Sequence, residues 1–255
     1  MVCLIRKIFY SPVKSISFDS VSSICIKKSI GLENDRIFSF SRNIDFNESK
    51  LIELNPNKRS LHNFLTLRNS PFLNKYNFSL SNNELALKRN NIEFIRISIL
   101  NKNKFVDLVE ILIKLESKIE PPIFLLKNIE NPFFDTTPNN SISLINLNSV
   151  KDFSKKINTE IEIERFRGNI YIDKMNPWDE MKLIGRNIKI NNCNFQVLGA
   201  IPRCSATNLR PNTDNNTINL PLTLKKIYGH INMGIYLEPL SDGKINIGDQ
   251  IKITT

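Results

Sequence analysis

Residues 200–207 combine the residue types that metal binding and nucleophilic chemistry require. Cys204 directly follows Arg203, between an apolar run at 195–198 and a polar loop at 208–220. A neighbouring cation favours the thiolate, the form of cysteine that binds metals and attacks electrophiles. The alternative is a structural role, since free cysteines are among the most buried residue types. This stretch alone leaves both interpretations open.

A second group of residues suggests an anion receptor. Arg165, Arg167 and Asn169 alternate along a segment predicted to be extended, so their side chains would share one face of a strand. Two guanidinium groups and an amide on one face suit a phosphate or another anion with several acceptors. Surface ion pairs with Glu162 and Glu164 are the alternative.

Two loops add cations that could serve the same ligand. Lys14 is followed by the hydroxyl of Ser15, and Arg36 follows Asp35 beyond a glycine-marked turn. Each pair also has a structural interpretation, a solvated turn for the first and an ordinary loop ion pair for the second.

Several common site types lack a motif. The four cysteines (Cys3, Cys25, Cys193 and Cys204) show no C-x-x-C spacing, so neither a zinc site nor an iron–sulfur cluster is predicted. His62 is expected at the surface and His230 in a structural hydrogen bond, which leaves no Cys–His catalytic pair. No glycine-rich dinucleotide or phosphate-binding loop occurs.

Composition narrows the class of protein. A chain of 255 residues can bury a full core as one large domain or two intertwined ones. The net charge of +10 favours anionic ligands or acidic partners, but the cations are scattered, so nucleic acid is not an expected partner. The first ten residues do not have the apolar run of a signal peptide and no run is long enough for a membrane span, so we expect a cytoplasmic protein.

The elements predicted to position these residues are mostly short strands. A polar, mobile loop is expected at 42–60, and a hairpin turned by Asp242 and Gly243 near the end of the chain. Many short strands separated by turn residues favour an antiparallel barrel or sandwich. Helices are predicted at 104–116, 149–157 and 221–228, the second capped by Asn148 or Ser149. Strands are predicted at 2–10, 21–28, 37–41, 64–68, 76–80, 84–88, 92–98, 123–127, 141–147, 188–190 and 195–201, with a further one ending at Asp173.

In their order and spacing, these segments resemble the MOSC-domain molybdenum-cofactor proteins with an amino-terminal MOSC β-barrel domain. This group includes the mitochondrial amidoxime-reducing component and its bacterial relatives. The resemblance rests on residues 12–15, 31–32, 35–36, 165–170, 177–180, 203–204, 207, 221–224 and 243–249, with 229–234 closer to the bacterial branch.

The resemblance implies a fold and a site. The fold would be mainly β with a few helices (α+β), an amino-terminal MOSC β-barrel domain at 1–120 packed against a MOSC domain at 121–255. The cofactor would be molybdenum-molybdopterin, with Cys204 as the catalytic residue and protein ligand to the metal. Cofactor-binding positions implied by the resemblance, or inferred beside it, are Lys14, Ser15, Arg36, Ser149, Arg167, Asn169 and Arg203.

The activity implied is that of an oxidoreductase acting on a small molecule, an N-hydroxylated or related N–O or S–O compound. Some relatives carry a carboxy-terminal ferredoxin domain, whereas this sequence ends at Thr255. Electrons are therefore expected from a separate ferredoxin, flavodoxin or reductase, attracted by the positive charge. The alternative is a carrier that holds the cofactor, or a persulfide on Cys204, without turnover.

Overall fold

The computed structural model describes residues 3–134 and 141–254, which form a mainly β fold with four α-helices. The strands are β1 (Cys3–Tyr10), β2 (Asp19–Val21), β3 (Ser23–Lys27), β4 (Gly31–Leu32), β5 (Phe38–Phe40), β6 (Asn77–Ser81), β7 (Glu84–Arg89), β8 (Ile92–Ser98), β9 (Leu125–Lys127), β10 (Ile142–Asn146), β11 (Ile170–Asp173), β12 (Asn187–Ile190), β13 (Cys193–Pro202), β14 (Asn232–Pro239), β15 (Gly243–Asn246) and β16 (Gln250–Thr254). The helices are α1 (Phe46–Leu54), α2 (Lys104–Leu115), α3 (Leu147–Lys156) and α4 (Leu220–Tyr228).

Seven strands close into a barrel. Their order is β11-β10-β14-β13-β12-β16-β1, and β1 pairs with β11 to complete the ring. In β13 the side chains of Cys193, Phe195 and Val197 are buried while the residues between them are exposed, the alternation expected of a strand with one face on a core. The barrel interior is therefore an apolar core that fixes the register of the strand leading to Cys204.

A β-α-β unit covers one side of the barrel. Strands β10 and β11 pair in parallel, and α3 connects them. All five residues of β10 are buried because Leu144 packs into the barrel core while Ile145 packs outward beneath α3 and α4.

The second core belongs to the first half of the chain. Strands β6, β7 and β8 form an antiparallel sheet, against which α2 packs. In α2 the residues Phe105, Leu108, Val109 and Leu112 are buried at helical spacing, which confirms the amphipathic helix predicted at 104–116.

The two halves of the chain exchange strands. Strand β1 lies in the barrel, β3 pairs with β15, and β9 pairs with β5 beside the amino-terminal core. The domain boundary at residue 120 stays a prediction. These pairings show that residues before and after it share sheets on both sides of the molecule.

One segment predicted as a loop is instead helical. Residues 42–60 contain α1, whose first turn is closed reciprocally: the Asp45 side chain accepts from the Glu48 amide, and the Glu48 side chain accepts from the Asp45 amide. The D-x-x-E spacing is the sequence signal for such a capping box. The mobile-loop prediction was therefore wrong.

Four further predictions are corrected, three of them because strands pair over long range. Residues 64–68 form a single bridge between Phe64 and Ser41 rather than a strand, and 21–28 is divided between β2 and β3. The predicted hairpin at Asp242 does not form, because β15 pairs with β3 while the Asp242 carboxylate accepts from the Lys28 amide at 2.7 Å. Helix α3 begins earlier than predicted and is capped by Asn146.

Candidate functional site

Cys204 lies immediately after β13, at the start of a short 3₁₀ helix, Ser205–Asn208. Its carbonyl oxygen accepts from the Thr207 amide at 3.1 Å and from the Thr207 hydroxyl at 2.8 Å. The backbone at this position is therefore fixed, while the thiol is exposed.

The other cysteines are in environments that keep them as thiols. Cys3 and Cys193 are buried in the barrel, and Cys25 is half-buried. Burial raises the pKa of Cys3 to about 12 and also raises those of Cys193 and Cys25. Cys204 is thus the cysteine available to a ligand.

Arg203 anchors the end of β13 from behind. Its guanidinium donates from Nε to the Met233 carbonyl at 2.8 Å, with a second, very short contact from Nη2, and from Nη1 to the Phe166 carbonyl at 2.7 Å. Burial lowers the pKa of Arg203 to about 10, so the group stays protonated at neutral pH. The prediction placed Arg203 against the cofactor, but it does not line the cavity described next, and it positions Cys204 through the backbone.

The Cys204 thiol opens into a cavity of about 490 Å³ between the two halves of the chain. Four basic side chains line it, and no carboxylate does so among the residues that the structure describes. The lining residues are Lys14, Ser15, Phe18, Arg36, Leu61, His62, Thr66, Leu67, Arg68, Asn69, Arg167, Cys204 and Ala206.

Arg36 is held on three sides. Its Nε and Nη2 atoms donate to Asp35 Oδ2 at 3.0 and 2.6 Å, and its guanidinium lies 4.2 Å from the ring centre of Phe134 and 5.6 Å from that of Phe18. Asp35 is buried and also accepts from the Ser11 amide at 3.1 Å. Nε and Nη2 are occupied by these bonds and by Asn169, so Nη1 is the nitrogen left to donate to an anion in the cavity.

Arg167 approaches the same space from the other half of the chain. It ends a 3₁₀ helix, Ile163–Phe166, in the left-handed region at φ 50°. Its Nη2 donates to the Ile16 carbonyl at 2.9 Å, and its guanidinium lies 4.6 Å from the ring centre of Phe18. Burial, and then the charge of Arg36, lower its pKa to about 10, so Arg167 is also a cation at neutral pH.

Lys14 and Ser15 form the floor near Phe133. The Lys14 amide donates to the Phe38 carbonyl at 2.8 Å, and Nζ donates to the Phe133 carbonyl at 3.4 Å. Burial, followed by the charges of Arg36 and Arg167, holds the pKa of Lys14 well below its usual value. An anion in the cavity would favour the charged form of this amine.

Asn169 supports the cavity without lining it. Its side-chain oxygen accepts from the Ser143 amide at 3.1 Å and from Arg36 Nη2 at 3.3 Å. Its amide nitrogen donates to Asp35 Oδ2 at 3.2 Å. Asn169 therefore positions the Asp35–Arg36 pair from behind.

One expectation about this region is corrected. Arg165 and Arg167 do not share a strand face, because Arg165 lies in the 3₁₀ helix, where it donates to Glu162 at 2.7 Å and to the Asn208 carbonyl at 2.9 Å. The Ser149 hydroxyl donates to Glu180 at 2.7 Å, and Ser149 is not among the residues that line this cavity, so its contribution to a cofactor site stays a prediction.

The first half of the chain contributes residues that sequence reasoning missed. His62 was expected at the surface, and it is exposed, but it lines the cavity that contains Cys204. Arg68 and Asn69 lie on the same wall. The segment was predicted as a strand, and no motif there marked it as part of a site.

The model of the MOSC domain family matches residues 134–252, and no curated protein matches the chain. Among solved structures the chain is similar to the YuaD protein of Bacillus subtilis, with 11% identity, 99% of this chain and 96% of that chain covered, and a TM-score of 0.47. It is also similar to YiiM from Geobacillus stearothermophilus, with 15% identity, 45% and 54% covered, and a TM-score of 0.37.

Within the described residues, the helices are too short or too polar for any of them to cross a lipid bilayer. The matched segment contains the barrel strands β10 to β14, the strand β15, and the residues Arg167 and Cys204. Residues 134–252 of this chain therefore match the MOSC domain family.

Proposed function

We propose that this protein is a molybdenum-cofactor-dependent oxidoreductase that reduces N-hydroxylated or related N–O and S–O compounds. MOSC domains are associated with the molybdenum cofactor. The observation that carries the proposal is that the exposed Cys204 thiol opens into the same cavity as Lys14, Arg36 and Arg167. A soft thiolate ligand next to an anion receptor is the donor set that a metal-bearing, phosphorylated cofactor requires.

The residues divide the work of holding such a cofactor. Cys204 would be the protein ligand to the metal, and the backbone bonds from Thr207 would keep its sulfur in place. Arg36 and Arg167 would bind the phosphate, with Lys14 and Ser15 beside them. When bound, the cofactor would supply a two-electron centre able to exchange an oxygen atom with the substrate.

The protein's own contribution is preorganisation. Phe18 lies beside both guanidinium groups, at 4.6 Å from Arg167 and 5.6 Å from Arg36, so two like charges are kept near each other before any anion arrives. Folding includes the electrostatic cost of holding the two cations close together, and an anion that binds between them offsets this repulsion. We further propose that a separate redox protein supplies the electrons, since the net charge of +10 would attract an acidic donor.

The test is metal analysis of the protein purified from a host that makes the cofactor. We expect close to one molybdenum per chain in the natural protein, almost none in Cys204→Ser, and no loss in Cys25→Ser, a control that removes a half-buried thiol outside the cavity lining. Both variants should keep the circular dichroism spectrum of the parent.

Turnover is measured on the molybdenum-loaded protein with a chemical reductant and benzamidoxime. Reduction that disappears in Cys204→Ser supports the enzyme. Bound molybdenum without turnover would favour the carrier function, and a natural protein without molybdenum would overturn the proposal.

A further inference from the structure

One wall of the cavity has no place in the proposed cofactor site. It is formed by the segment 61–69, which contributes Leu61, His62, Thr66, Leu67, Arg68 and Asn69. The residues that would hold the cofactor come from other segments. A substrate that enters the cavity would therefore contact this wall.

Arg68 is presented by a turn whose polar groups are used internally. The Thr66 amide donates to Asn69 Oδ1 at 2.8 Å, and the Ser70 amide donates to the Thr66 carbonyl at 2.7 Å. On either side of Thr66, Leu65 and Leu67 are buried in the amino-terminal core. The turn is thus fixed to the core on one side and carries Arg68 on the other.

The charge of Arg68 is not compensated within the described part of the chain. Arg36 has Asp35 as its partner, whereas no carboxylate of the described residues lies within ion-pair distance of Arg68. The Arg68 side chain is exposed, and the cavity that it lines contains two further guanidinium groups, those of Arg36 and Arg167. The potential in the cavity therefore favours a negatively charged ligand and opposes a positively charged one.

We infer that the substrate carries an anionic group, such as a carboxylate, which Arg68 binds while the reducible N–O or S–O group faces Cys204. The inference rests on the proposed function for the reaction, but the anion preference itself is a property of the cavity. A carboxylate accepts two parallel hydrogen bonds from a guanidinium, which gives Arg68 control of orientation as well as affinity.

Three probes that share the benzamidoxime core and carry an anionic, no, or a cationic para substituent test this inference. They are 4-carboxybenzamidoxime, benzamidoxime and 4-(aminomethyl)benzamidoxime, with binding measured by isothermal titration calorimetry on the full-length protein as purified. We expect the anionic probe to bind about tenfold more tightly than the neutral one, and the cationic probe more weakly still.

The variants separate Arg68 from the other cations. Arg68→Gln should abolish the preference for the anionic probe, and Arg68→Lys should retain part of it. Lys58→Gln, which removes one charge from an exposed residue outside the cavity lining, should leave the preference unchanged. Circular dichroism and thermal unfolding confirm that each variant is folded.

Equal binding of the anionic and neutral probes would overturn the inference. So would a preference that survives in Arg68→Gln, because it would then arise from Arg36 and Arg167. Since calorimetry needs no turnover, failure of the proposed function shows itself separately, as protein that holds no molybdenum or reduces none of the probes.

Discussion

Replacing Asp35 by asparagine tests whether the cavity cations are held by the contacts described above. Asp35 is buried, and its Oδ2 accepts from Arg36 at 3.0 and 2.6 Å and from Asn169 at 3.2 Å, while Oδ1 accepts from the Ser11 amide at 3.1 Å. An asparagine keeps one acceptor oxygen. Whichever way its amide turns, its NH₂ group faces donors, so at least one of these contacts becomes donor against donor.

The expected loss of stability follows from these contacts. Removing one partner of a buried ion pair costs about 3–5 kcal/mol, because the remaining charge is left uncompensated. The Arg36 side chain is still 20% exposed and keeps its two aromatic neighbours, which places the expected value near the lower end. We expect Asp35→Asn to lower the free energy of unfolding by about 3 kcal/mol, and Tm by roughly 6–12 °C for a chain of this size.

The assay is urea unfolding at pH 7, followed by the fluorescence of Trp178, the one tryptophan of the chain. The double variant Asp35→Asn/Arg36→Gln removes the cation together with its partner, and we expect it to recover about 1–2 kcal/mol of the loss. The matched control is Asp107→Asn, which breaks an exposed ion pair with Lys104 and should cost less than about 1 kcal/mol.

The two measurements give distinct refutations. If Asp35→Asn costs no more than Asp107→Asn, the carboxylate does not hold the guanidinium as described. If the double variant is less stable than Asp35→Asn, the loss arises from packing rather than from an uncompensated charge.

Two further predictions concern Gly234 and Asp152. A Cβ on Gly234 (φ 82°) would lie 2.5 Å from a main-chain oxygen of β10, so Gly234→Ala should lower the free energy of unfolding by about 3 kcal/mol, measured by denaturation. The control is Gly199→Ala, whose added Cβ contacts nothing, and equal losses in the two variants would contradict the prediction. Burial alone would raise the pKa of Asp152, but hydrogen bonds from Trp178, Tyr228 and a lysine outweigh burial, so the pKa of the carboxyl group is lowered. The carboxylate therefore stabilises the fold above about pH 4, and this stabilisation is lost as the pH falls through the lower pKa of the folded state. Asp152→Asn should therefore flatten the unfolding free energy between pH 7 and about pH 3, and an unchanged slope would show that this network is not the source.

Local sequence patterns were sufficient to predict those helices and strands whose buried face is defined by residues close together in the sequence. The helical spacing of apolar residues predicted α2, and short strand-like runs, two of them bounded by turn residues, predicted β7, β8 and β13 within two residues at each end. A helix or strand buries one face in any fold that contains it, so these patterns survive in isolation.

Local patterns did not predict which way a side chain points, or which strand is a partner, where these depend on segments distant in the sequence. The spacing of Arg165 and Arg167 suggested a shared face, but a 3₁₀ helix and a left-handed residue turn them apart. Equally, the partner of β15 could not be deduced from the turn before it, since β3 lies more than two hundred residues away along the chain. Both outcomes depend on contacts with segments distant in the sequence.

By itself, the sequence determined which residues could take part in chemistry: a cysteine beside an arginine, and cations at positions 14, 36 and 167. Only the tertiary structure decided which of them share a cavity. The exchange of strands between the two halves brings Cys204, Arg36 and Arg68 to one space, while burial turns Arg203 and Asn169 into supports behind it. The physical reason is that a cavity wall is built from segments adjacent in space, and their adjacency is set by sheet pairing and core packing rather than by sequence spacing.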